Sequence, residues 1–196
     1  MSRTTILVLV VLGATLAGLA LSTNARRLQD DQAAPRERSA ASPQRATLDW
    51  RETFGPAGEK LVFSVETLEI LPEGWRARVG LENDTSIPYE VTGPNSTPDR
   101  TYGLMLFSSG ELAELEERNE SGALPATRPA LRFQPELPRI LEPGDSWAGT
   151  ISAPGALVAD SWVRVVFGAL VSVGTPPDEL AEHVVWITDG VYHLRA

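Results

Sequence analysis

The sequence predicts an all-β sandwich of about seven strands with one short helix, behind an N-terminal transmembrane helix. Three observations carry this: short apolar runs punctuated by Pro and Gly after Trp50, strict alternation in several runs, and one long uncharged stretch at the start of the chain. The 196 residues and 42% hydrophobic content suffice for one buried core.

Residues 4–22 hold no charge and are dominated by Ile, Leu and Val. As a helix they span roughly 28 Å, the thickness of a bilayer's hydrocarbon. Residues 1–25 are therefore expected to be an uncleaved signal anchor, with membrane contact through residues 4–22 and the body outside the cytoplasm. Residues 26–55 read as a flexible linker, because the stretch 26–49 is rich in Ala, Arg, Gln, Ser and Pro and shows neither helical nor strand period. The folded body is then expected over 56–196.

Within that body, residues 75–81 form the clearest strand: Trp75, Ala77, Val79 and Leu81 alternate with Arg76, Arg78 and Gly80. In residues 61–71, Leu61, Phe63 and Val65 share one parity and Leu68 and Ile70 the other, which predicts a bulge between them. Leu71-Pro72-Glu73-Gly74 has the residues of a tight reversal between these strands. Residues 102–107 are apolar on both parities, as in an interior strand. Residues 162–173 place Val163, Val165, Phe167, Ala169, Val171 and Val173 on one expected core face. Asp189-Gly190 between apolar runs signals a hairpin, with a bulge in one long final strand as the alternative. One helix is expected near 111–122: Ser108 and Glu111 have capping-box spacing, Leu112 and Leu115 share a face, Glu114 pairs with Arg118, and Gly122 ends the turn.

Charge excludes some functions. Residues 26–51 carry six arginines against four acidic groups, whereas residues 52–196 carry ten basic against 22 acidic groups, a balance of −12. Such a body repels phosphate backbones, so no nucleic-acid partner is expected. With no cysteine there is no disulfide, thiolate nucleophile or Cys-ligated metal.

The segments 75–84 (WRARVGLEND), 141–154 (LEPGDSWAGTISAP) and 162–168 (WVRVVFG) resemble bacterial extracytoplasmic immunoglobulin-like domains. The residues that carry the resemblance are the strand ending near Asn83 and the L-x-P-G turn of Leu141, Pro143 and Gly144 leading to Gly149. It covers residues 58–196 and implies an immunoglobulin-like β-sandwich with a binding or structural role. It carries over no catalytic residue.

No catalytic, cofactor or metal residues are assigned. Gly144-Asp145-Ser146 looks like the nucleophile block of SGNH-type esterases, which gives the alternative reading, an envelope serine hydrolase using Ser146 with His183 or His193. The proline turn explains Gly144 and Asp145 better, and no G-x-S-x-G elbow is present. The two histidines lie ten apart across the expected hairpin, where a register could bring them together. Nothing like H-E-x-x-H makes them a metal pair. Asn83, Asn95 and Asn119 begin glycosylation sequons, read here as chance. The expected function is a membrane-anchored binding or structural module meeting a protein or envelope partner, with Leu112, Leu115, Leu124 and Leu131 in residues 111–138 as its apolar anchors.

Overall fold

Alternation and punctuation build two antiparallel sheets. In the computed structural model, which describes residues 39–91 and 102–196, the order is β1 (Gln44–Phe54), β2 (Lys60–Leu71), β3 (Gly74–Asp84), β4 (Tyr89–Glu90), β5 (Gly103–Phe107), α1 (Leu112–Glu120), β6 (Arg128–Pro129), β7 (Arg132–Gln134), β8 (Ile140–Leu141), β9 (Ser146–Pro154), β10 (Trp162–Ser172), β11 (His183–Ile187) and β12 (Tyr192–His193). The first sheet runs β1-β2-β3-β9-β7. The second is centred on β10, which pairs with β4 and β5 on one edge and with β11 and β12 on the other; β8 and β6 extend it beyond β4 and β5. Residues 39–196 form one compact unit. The apolar run 4–22 and the linker to residue 38 lie outside the described residues, among which no helix is long and apolar enough to cross a membrane.

The core fills the space between the sheets. Trp75, Ala77, Val79 and Leu81 are buried as their alternation requires, while Arg76 and Arg78 face solvent. The expected bulge in β2 is present between Val65 and Thr67, and it returns Leu68 and Ile70 to the face already used by Leu61, Phe63 and Val65. Leu71 pairs directly with Gly74 across the Pro72-Glu73 turn. Both parities of β5 are buried for different reasons: Leu104 faces the sandwich core, whereas Met105 and Phe107 join Leu115, Val166 and Ile187 under α1 on the outer face of the second sheet.

Four expectations change. The linker expected over 26–55 gives way to structure, since β1 occupies Gln44–Phe54 and the compact unit begins at Ser39. Its inward set, Gln44, Ala46, Leu48, Trp50, Glu52 and Phe54, mixes polar with apolar residues and is only half-buried, so the chain alternates in burial without alternating in hydropathy. In β10, the register shifts between Phe167 and Leu170. Leu170 therefore takes the core position and Val173 is left 47% exposed, contrary to the single face expected over 162–173. The hairpin at Asp189-Gly190 is absent, because β11 and β12 both pair with β10 and make one final strand interrupted by a bulge. Finally, Glu111 rather than Ser108 occupies the N-cap of α1 without a side-chain cap bond; Ser108 Oγ instead donates to Glu114 Oε1 at 3.0 Å, and Arg118 Nε donates to the same oxygen at 2.8 Å.

The Pro-rich segment 124–138 crosses from sheet to sheet. Its β6 pairs with β5 in the second sheet and its β7 with β9 in the first, so it straps one open edge of the sandwich. Gly168 lies at the β10 bulge with φ +143°, where an added Cβ would sit 2.9 Å from Val185 Cα and 3.0 Å from Val184 O. Gly168→Ala is expected to destabilise the domain by about 1–3 kcal/mol, read as a lower urea midpoint at unchanged slope.

Candidate functional site

A polar node that joins the two sheets sits where the final strand breaks. Between Ile187 and Tyr192 that strand uses more residues than β10 uses between Val166 and Val163; Thr188 N–H still donates to Val165 O at 3.0 Å, whereas the Thr188 carbonyl and the backbone of 189–190 turn away from β10 and take other partners. Glu52, pointing inward from edge strand β1, accepts from Asp189 N–H at 3.1 Å, Gly190 N–H at 3.1 Å and Trp186 Nε1–H at 2.7 Å. From the other side Arg164 Nη1 donates to Thr188 O at 3.0 Å and Asp189 O at 2.7 Å, and Nη2 reaches Gly110 O at 3.3 Å ahead of α1. Thr188 Oγ1 accepts Val165 N–H at 3.0 Å and donates to Gly190 O at 3.0 Å. One loop of backbone is thus held at its amides by a carboxylate and at its carbonyls by a guanidinium.

Arg164 is 1% exposed, and burial pulls its guanidinium below the ordinary arginine value while the charges of Asp189, Glu52 and Glu114 oppose that. Its guanidinium lies 5.6 Å from the Phe107 ring centroid. The bond to Glu52 fixes the Trp186 indole, which stacks on Phe63 at 5.3 Å with 2° between planes. Gly190 is needed for space: an added Cβ would lie 2.5 Å from the Trp50 ring. The hydrogen bonds of this arrangement all go to the fold, and among the described residues Arg164 Nε is buried without a hydrogen-bond partner.

A second node locks the far end. Asn83 is fully buried; its Nδ2 donates to Ile87 O at 2.8 Å and Leu141 O at 2.9 Å, and its Oδ1 accepts from Thr85 N–H and Oγ1–H. Its backbone pairs with the Gly144-Asp145 turn, where Gly144 N–H donates to Asn83 O at 2.7 Å. The proline turn and Asn83 therefore form one unit, and the Asn83 amide is not free to carry a glycan. Asn95 lies outside the described residues.

The residues of the hydrolase alternative are not brought together. Ser146 is exposed at the start of β9 in the first sheet, and both histidines lie in the second. His183 pairs with Val171 and His193 with Trp162, which puts them about 30 Å apart at strand rise. Among the described residues no hydrogen bond joins Ser146 to either. His193 stacks on Trp162 at 4.4 Å, and no group of three or more His, Asp or Glu among the described residues could hold a metal ion. Of the four expected anchors, Leu115 is buried and Leu124 packs against the same cluster, whereas Leu112 and Leu131 are 42% and 65% exposed.

Two open grooves mark the first sheet. One of about 370 Å³ crosses its outer face over Ser64, Gly80 and Ala148, rimmed by the Arg51–Glu82 pair at 2.8 Å. The other, about 590 Å³, lies at the β2–β3 turn and is lined by Leu71, Pro72, Arg76, Arg132, Ser152 and Pro154 among others. Comparison with protein-family models, curated proteins and solved structures finds no match.

Glu52→Gln is expected to cost about 1.5–3 kcal/mol and Arg164→Met about 3–5 kcal/mol in chemical denaturation, with the double variant costing less than the sum. The Arg51 guanidinium holds the Glu82 carboxyl below its usual range through a bidentate bond. A depressed folded value stabilises the domain above the unfolded carboxylate value and is lost as pH falls through the folded one. Urea midpoints of wild type and Arg51→Gln should thus differ at neutral pH and converge in acid.

Proposed function

We propose that this protein is a membrane-anchored, extracytoplasmic, non-catalytic immunoglobulin-like module that binds a protein or envelope partner. The observation that carries the fold part of this reading is strand order: β2-β3-β9-β7 faces β5-β10-β11, as strands A-B-E-D face C-F-G in a constant-type immunoglobulin sandwich. β1 is then an added strand beside the first, and it follows directly on the linker. The anchoring part rests on the uncharged run 4–22.

The acidic face of α1 is the partner surface in this reading. Glu111, Glu117 and Glu120 are exposed around Leu112, and the helix is held on the second sheet by Leu115 beneath it. A basic or amphipathic protein segment complements that surface. Because Leu115 and the strap 124–138 belong to the fold, the surface is tested by exposed charges rather than by deletion. In-cell crosslinking of the full chain should capture the same membrane-fraction partner reproducibly, and Glu117→Lys with Glu120→Lys should abolish capture at unchanged expression. Capture that survives these changes places the partner elsewhere.

A further inference from the structure

The end of the domain where the linker enters differs in chemistry from the opposite end. Ser42 N–H donates to Arg195 O at 3.0 Å and Ala41 N–H to Leu157 O at 2.8 Å, so the incoming chain, the C-terminal residues and the 155–161 loop share one end with the β2–β3 turn. Across the outer face of the first sheet at this end, the registers align Arg45, Glu69, Arg76, Ser152 and Arg132 in one row spanning all five strands. Glu69 alone serves both Arg45, at 2.9 Å, and Arg76. Arg132 is exposed and makes no ion pair or side-chain hydrogen bond among the described residues.

Arg76 and Arg132 stand two strands apart, about 10 Å, with the Ser152 hydroxyl between them. Both arginines and Ser152 line the 590 Å³ groove, whose other walls are mainly apolar, with Leu71, Pro72, Ala153 and Pro154, and include one carboxylate, Glu73. Leu71 and Leu131, 39% and 65% exposed, flank the cations. At the opposite end the loops present Asp84, Glu142, Asp145, Asp178 and Glu179, all exposed, whereas the linker-side turn and loop expose two carboxylates, Glu73 and Asp160.

We propose that this linker-side end is a lipid-facing surface, in which Arg76, Ser152 and Arg132 take the phosphate of an anionic lipid headgroup while Leu71 and Leu131 touch the interface. This rests on the anchored reading above. In the anchored reading the 16 residues 23–38 carry the chain from the apolar run to this end of the domain, about 55 Å when fully extended. Each planar guanidinium can donate two parallel N–H bonds to two oxygens of a tetrahedral phosphate, and basic groups at an anionic surface add about 1 kcal/mol each. The acidic loops of the far end are repelled by the same surface.

The test is co-sedimentation of residues 39–196, the compact unit, with vesicles of phosphatidylcholine alone and of phosphatidylcholine with phosphatidylglycerol. Binding is expected only to the second and weakening with salt, with Arg132→Ser reducing it roughly fivefold and Arg76→Ser with Arg132→Ser more than tenfold. Arg132→Ser breaks no ion pair, and an unchanged thermal midpoint guards against misfolding. No preference for the anionic vesicles, or binding indifferent to both substitutions, overturns the proposal. Loss of vesicle binding to millimolar inorganic phosphate makes the seat one for soluble phosphate and also overturns it. The anchor is read separately, from whether the full-length double variant stays in the membrane pellet after alkaline carbonate extraction: release refutes the anchored reading, whereas retention with unselective vesicle binding refutes only the lipid-facing surface.

Discussion

Residues 188–190 join the edge of one sheet to the centre of the other through side chains. The Thr188 carbonyl and the amides of 189–190 turn off the ladder of the final strand, and a polar group buried there costs about 1–3 kcal/mol if unpaired. Glu52 and Arg164 remove that cost from opposite sides, the first from the edge of one sheet and the second from the centre of the other. Arg164 is the deeply buried charge of the two, and it is compensated by peptide carbonyls as well as by the field of the half-buried Glu52. The same atoms fix Trp186 against Phe63, hold Gly110 ahead of α1, and bring Trp50 onto Gly190. The Trp186–Phe63 stack, the Trp50–Gly190 contact and the turn ahead of α1 all meet at this one clasp.

The clasp also bears on edge strand β1, which among the described residues pairs only with β2. A strand of eleven residues with an unpaired side is a template for pairing with another chain. Here the register shifts between Thr47 and Trp50, Asp49 adopts φ 49°, and a carboxylate points inward at Glu52. Bulge and inward charge both disfavour strand addition, and Glu52 uses its charge to join the sheets by side chain where a barrel would join them by ladder. On the other side the strap 124–138 does the equivalent work with backbone, placing prolines at Pro129 and Pro135 where an edge needs no donor.

Much of the fold is legible in the sequence wherever hydropathy and burial coincide. Residues 75–81, the β2 phase change at Val65 and the two-sided burial of β5 follow from side-chain parity alone. The misses share a cause, which is that long-range partners decide what local chemistry leaves open. β1 is hidden because Gln44 and Glu52 occupy inward positions and bond to residues near the C-terminus. Asp189-Gly190 has hairpin chemistry, yet Gly190 is selected by the approach of an indole and not by a turn. Arg164 reads as a solvent-facing residue until α1 and Phe107 cover it. The candidate surfaces were half legible: Leu112 and Leu131 are exposed as a partner surface requires, whereas Leu115 and Leu124 are spent on holding the helix. The Arg76-Ser152-Arg132 row was invisible, because it needs the register of three strands to assemble.

Native-state hydrogen exchange at the amides of Asp189 and Gly190 tests the clasp most directly. These amides lie in an irregular segment, and Asp189 is exposed at its side chain. If the Glu52 carboxylate ties them to the sandwich, both exchange only by global unfolding in the wild type, and in Glu52→Gln they exchange through a local opening while Val165 stays protected. Exchange of the two amides at loop rates in the wild type would contradict the account.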